Sequence, residues 1–152
     1  MDDRTLLVLR HAKAATPDRV ADSERPLTAK GLERAGEVGR SLPLRPDLVL
    51  CSPALRTRQT WDAVRDAAAL DADVRFEPTV YEAILQDLLD LVVALPDEVH
   101  TVLLVGHNPG CTELVEHLSG EPVRMRTGSL AVLAVAGSWV DGASAGGAAL
   151  RG

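Results

Sequence analysis

Two apolar runs of one pattern limit what this chain can fold into. Thr5-Leu6-Leu7-Val8-Leu9 ends in Arg10-His11, and Thr101-Val102-Leu103-Leu104-Val105-Gly106 ends in His107. Runs this short and this continuously apolar fit strands buried on both faces, the interior of a parallel sheet. Open α/β sheets bind ligands just beyond the carboxyl ends of such strands. Arginine at that end suits a planar oxyanion, and histidine suits a nucleophile, a base or a metal ligand. The alternative for either run is a strand that simply gives way to a polar loop.

The segments between the runs alternate in type. After His11 a polar stretch with two prolines, to Pro26, reads as a loop. Thr28 is placed to cap a helix reaching about Leu42, with Leu32, Ala35, Gly36, Gly39 and Leu42 at helical spacing. Asp47–Cys51 reads as a second strand. Ser52-Pro53 then reads as a cap followed by proline at the first helical position, opening a helix to about Leu70. Val74–Phe76 fits an edge strand, and Ala83–Leu95 a helix closed by Pro96. After the second histidine-ended run, Asn108-Pro109 repeats the cap-then-proline signal, and Gly120 ends that helix. Leu130–Val135 is a further strand. Beyond about residue 141 the chain is rich in Gly and Ala, and fits either a last edge strand around Trp139 and Leu150 or a loose tail. This order predicts one α/β domain over residues 1–152. Its architecture would be a three-layer sandwich, a mainly parallel sheet with helices on both faces.

Composition removes several classes of function. The 152 residues suffice for a single core, and the formal charge of −6 argues against nucleic acid, which needs a basic face. No apolar run is long enough to span a bilayer, and Met1-Asp2-Asp3-Arg4 lacks the pattern of a signal peptide, so a cytoplasmic protein with no membrane partner is expected. Cys51 and Cys111 do not make a disulfide framework. An acidic protein can still hold a small anion, because a local arginine cluster is screened from distant charges beyond about 10 Å at 0.1 M salt.

The chemistry-bearing residues fall at strand ends that a parallel sheet places on one rim: Arg10 and His11, then Ser52 and Arg56, then His107. Two helix N-termini would join them, with unpaired N–H groups suited to an anion. Guanidinium groups grip phosphate oxygens in a fork. A metal held by the two histidines, with Cys51, Cys111 or Glu82 as a third ligand, is the competing reading. Adjacent arginines would repel the cation.

These residues resemble the histidine phosphatase superfamily, with its phosphoglycerate mutase-like fold. The matching segments are Arg10-His11, Arg25-Pro26-Leu27-Thr28-Ala29-Lys30-Gly31, Ser52-Pro53-Ala54-Leu55-Arg56-Thr57-Arg58-Gln59-Thr60, Tyr81-Glu82 and Val105-Gly106-His107-Asn108-Pro109, in the family's order. The short chain and Ala12-Lys13 after the histidine look most like the SixA branch of small phosphohistidine phosphatases. The resemblance implies that His11 is a nucleophile forming a phosphohistidine, with Arg10, Arg56 and His107 binding the phosphoryl group. It also suggests a donor near Gly128 and Ser129. Glu82 is the candidate proton donor, or a solvated glutamate at a helix start. Lys13 and Arg25 would extend the phosphate site, or are exposed loop cations.

Neutral imidazole is a competent nucleophile, and phosphoryl transfer needs positioning and charge neutralisation above all. Two arginines and a protonated His107 would supply that charge, so no cofactor or metal is expected. The expected partner is a phosphorylated substrate, either a phosphohistidine protein or a small phosphate ester. A phosphate-binding module without turnover is the alternative from another class. No long insertion covers the rim, which favours an open pocket and a protein-borne phosphate over a mutase that needs a lid.

Overall fold

The computed structural model describes residues 3–151; Met1 and Asp2, part of the N-terminus read above for a missing signal, lie outside them, as does Gly152. Six strands form one sheet: β1 (Arg4–Arg10), β2 (Leu48–Cys51), β3 (Asp73–Phe76), β4 (Thr101–Gly106), β5 (Leu130–Val135) and β6 (Ala148–Arg151). Their order is β3-β2-β4-β1-β5-β6. The pairs β2/β3, β2/β4 and β1/β4 are parallel, whereas β5 runs antiparallel to β1 and β6 antiparallel to β5. The helices are α1 (Ala29–Arg40), α2 (Leu55–Ala68), α3 (Leu85–Val93), α4 (Gly110–Ser119) and the short α5 (Trp139–Gly142).

The period of two along a strand explains why the runs are apolar throughout. Leu7 and Leu9 of β1 share a core with Val49, Leu103, Val105, Val38 of α1, and Trp61 and Val64 of α2. Leu6 and Val8 turn the other way, to Leu50, Leu104, Leu88 and Val92 of α3, and Leu114 and Leu118 of α4. Two independent cores on opposite faces make this the predicted three-layer sandwich.

Local differences from expectation have local causes. α2 begins at Leu55, two residues after Pro53, and its N-cap is Ala54 with no side-chain cap. Ser52 therefore does not cap the helix through its first-turn amides; its Oγ accepts the Ala54 N–H at 3.3 Å and otherwise meets His107. Thr28 caps α1 as predicted, its Oγ1 accepting from Gly31 N at 3.0 Å. The N-cap of α4 is Pro109 and not Asn108, because the helix starts only at Gly110; Asn108, one residue before the cap, still satisfies a first-turn amide, its Oδ1 accepting from Thr112 N at 3.2 Å. Of the two readings of the Gly/Ala tail, the structure takes the edge strand: Ala148 to Arg151 pair with Val135 to Val132. The indole of Trp139, fully buried, donates to Val99 O at 2.8 Å and holds the chain before that strand.

Candidate active site

The register of β1 against β4 builds the site. Arg10 pairs with Gly106, and His11 N donates to Gly106 O at 3.0 Å, so the residues that follow each strand emerge side by side. Ser52 N donates to Val105 O at 3.1 Å and brings the end of β2 to the same rim. The imidazoles of His11 and His107 lie 5.3 Å apart between ring centres, tilted by 58°. Both can touch one oxyanion.

His11 is buried, and its Nδ1 lies 2.7 Å from the carbonyl oxygen of Ala12. A carbonyl only accepts, so Nδ1 carries the proton and Nε2 keeps its lone pair. Ala12 is itself held, its N–H donating to Thr60 Oγ1 at 3.1 Å. Burial, opposed by the Ala12 hydrogen bond and assisted by Arg56 and Arg10, lowers the His11 pKa to about 4. The imidazole is thus neutral at pH 7.

His107 was expected protonated. The structure makes it neutral, because burial first, and then Arg56 and His11, push its pKa down to about 3. Its Nε2 lies 2.7 Å from Ser52 Oγ, while its buried Nδ1 has no hydrogen-bond partner among the described residues. Arg10 Nε and Arg56 Nε are also buried without partners. Such nitrogens are costly to leave bare, and these three belong to the residues that surround His11.

Arg10 and Arg56 are anchored by their other nitrogens. Arg10 Nη1 donates to Met125 O at 3.1 Å. Arg56 Nη1 donates to Asp22 O at 2.6 Å, and Nη2 to Asp22 Oδ2 at 3.0 Å. Asp22 was not singled out in the sequence. It lies on a 3-10 turn (Asp22–Glu24) in the loop before α1, and also accepts from Tyr81 Oη at 2.5 Å and Arg25 Nη1 at 3.2 Å. The Tyr81 hydroxyl and the two guanidinium groups hold its carboxyl far below the usual carboxylate range. Its partners Arg56 and Tyr81 lie 34 and 59 residues away, so no local pattern could have found it.

The remaining expectations divide. Arg25 joins the site, half-buried, with Nε donating to Ala15 O at 2.9 Å. The Lys13 side chain is exposed; its backbone carbonyl instead accepts from Thr28 N at 2.9 Å. The amides near Gly128 and Ser129 are not free donors. Gly128 N–H bonds to the carbonyls of Arg10 and His11, and Ser129 N–H to Arg126 O. The Ser129 hydroxyl accepts from Arg126 N. This turn supports the Arg10-His11 backbone, and the donor it retains is the Ser129 hydroxyl. Glu82 is exposed, in the left-handed region at φ 58°, with no hydrogen bond or ion pair among the described residues. Cys51 and Cys111 are buried thiols whose pKa values burial raises to about 12, which makes them poor metal ligands. Among the described residues no group of three or more His, Cys, Asp or Glu side chains is placed to hold a metal ion.

Residues 6–91 match the histidine phosphatase superfamily (branch 1). An uncharacterized protein of Mycobacterium tuberculosis is 36% identical over 148 residues, which cover 88% of this chain and 90% of that one. A protein of Nakamurella multipartitia, provisionally called phosphohistidine phosphatase SixA, is 34% identical. It superposes with a TM-score of 0.83 over 98% of this chain and 94% of its own. The protein histidine phosphatase SixA, solved in complex with tungstate, is 27% identical, with a TM-score of 0.85 over 97% of this chain and 94% of its own. The sheet and its flanking helices match the phosphoglycerate mutase-like sandwich.

Proposed function

The chain belongs to the histidine phosphatase superfamily and is a phosphatase, and from that premise we propose that it hydrolyses phosphohistidine on a protein through a phosphohistidine of its own on His11. The observation that carries this reading is the pairing of a proton-free His11 Nε2 with three partnerless buried nitrogens: Arg10 Nε, Arg56 Nε and His107 Nδ1. Tungstate, bound by SixA, is a tetrahedral oxyanion like the phosphoryl group, and this chain carries the cations to hold one.

In the first step the Nε2 lone pair forms a bond to phosphorus while the bond to the leaving nitrogen or oxygen breaks. The leaving atom takes a proton. Arg10, Arg56 and His107 bear the charge on the equatorial oxygens, which is where phosphoryl transfer needs stabilisation. As the dianion arrives, its charge offsets the two arginines and raises the His107 pKa, so that His107 can carry a proton in the complex. In the second step water attacks phosphorus, the Nε2–P bond breaks, the water proton is lost to a base, and inorganic phosphate leaves. Glu82, exposed and next in the chain to Tyr81, is the candidate for both proton transfers. A histidine leaving group makes a strong acid less necessary, which accords with a carboxyl that no partner holds in the site.

The test is radiolabelled phosphoramidate followed by a rapid quench in alkaline detergent, with aliquots then exposed to acid or base. Wild type should carry a label lost in acid and stable in base, the signature of a P–N bond, and His11→Asn should carry none. A label stable in acid would implicate a hydroxyl such as that of Ser52. Tungstate binding without turnover of any phosphate would make the protein a phosphate-binding module. Phosphohistidine proteins set against small phosphate esters then decide the substrate class.

A further inference from the structure

Resting on that reading, we propose that the surface beside Arg10 is a docking site for an acidic segment of the protein that carries the phosphorylated side chain. A cleft of about 480 Å³ opens directly from Arg10 and is walled by Arg124 and Arg126. A second, of about 320 Å³, lies on the other side of the same strap, between Arg34, Arg124 and Arg151. The two share Val123, Arg124 and Met125, so together they form one path from the reacting centre to strand β6. Neither is lined by a carboxylate among the described residues.

That charge distribution is against the trend of the chain, which carries 22 acidic and 16 basic residues. Five of the 16 gather on this one path. Arg124 and Arg126 are exposed, and neither forms an ion pair or a side-chain hydrogen bond among the described residues. Arg34 donates from Nε to Gly128 O at 3.1 Å, and its Nη1 has a long pair with Glu37 at 3.7 Å. The strap itself is fixed, because Arg10 Nη1 and Asn108 Nδ2 both donate to Met125 O, at 3.1 and 2.9 Å. A bound acidic segment would therefore meet cations carried on backbone that is fixed relative to the phosphoryl site. A small monoester anchored at His11 has no use for Arg151 at the far end. Arginines spread along an open surface suit the face of another protein, where arginine is enriched and charge complementarity steers encounter.

The experiment compares wild type with the double variant Arg124→Glu/Arg126→Glu, which leaves every residue of the phosphoryl site in place. Fluorescence anisotropy follows binding of two labelled peptides, a Glu/Ser octamer and a Lys/Ser octamer. Phosphoramidate turnover is measured in parallel. Wild type should bind the acidic peptide and not the basic one, more weakly as salt rises. The variant should bind the acidic peptide at least tenfold less tightly while turning over phosphoramidate at the wild-type rate. Equal binding of both peptides by wild type, unchanged binding by the variant, or preference for vesicles of anionic lipid over the peptide overturns the docking site. Absence of phosphoramidate turnover in wild type overturns the phosphatase reading instead, and leaves the peptide result to be judged separately.

Discussion

Mild acid should destabilise this protein through two histidines before it disables the nucleophile. An unfolded chain protonates each imidazole around its ordinary pKa of about 6.5, whereas the fold keeps His11 neutral to about 4 and His107 to about 3. A group whose pKa is lowered by folding takes up protons preferentially in the unfolded state as pH falls, so stability is full above 6.5 and is lost on the way down to the folded values. Between about pH 7.5 and about pH 5 that amounts to roughly 2 kcal/mol for each histidine, roughly 4 for the pair. A domain of ordinary stability, about 5–15 kcal/mol in all, would feel this strongly. The assay is urea unfolding at both pH values for wild type, His11→Asn and His107→Asn. Each variant should shed about 2 kcal/mol of the wild-type pH dependence, while the carboxylate contribution common to all three cancels. Variants that lose as much stability between the two pH values as wild type would refute the account of two buried neutral imidazoles. In the same window kcat/KM should hold, its acid limb lying near pH 4, because that is where His11 itself takes a proton.

Three further outcomes follow from particular contacts. Asp22→Asn removes a carboxylate that competes for Arg56 at 3.0 Å, so tungstate should bind about fivefold more tightly by calorimetry, the equivalent of roughly 1 kcal/mol; weaker binding would mean that the carboxylate mainly positions the guanidinium. Ser52→Ala leaves His107 Nε2 without its 2.7 Å partner and should lower kcat on phosphoramidate by about tenfold with little change in KM, with recovery in Ser52→Thr. Gly31→Ala would set a Cβ 2.2 Å from the Lys13 carbonyl oxygen, a backbone atom of the loop that delivers Asp22 and Arg25; we expect a loss of about 1–3 kcal/mol in urea unfolding.

Which segments lie at the rim could be read along the chain, because both the apolar runs and the polar residues that end them are local features. Strands buried on both faces are continuously apolar, and a parallel sheet puts their carboxyl ends on one side, so Arg10, His11, Ser52, Arg56 and His107 could be grouped without coordinates. The states and partners of those side chains could not. His107 is neutral because burial and Arg56 act on it together, and desolvation is a property of the assembled core. Ser52 meets His107 instead of capping α2, since the helix starts two residues later than its proline suggests. Asp22 reaches Arg56 and Tyr81 across 34 and 59 residues through a loop of no regular period, and the amides of Gly128 and Ser129 are spent on neighbouring carbonyls. Periodicity and capping act over a few residues and are written in order along the chain. Burial, charge coupling and hydrogen-bond partnership act over ångströms in space, between residues that only the closed sheet makes neighbours.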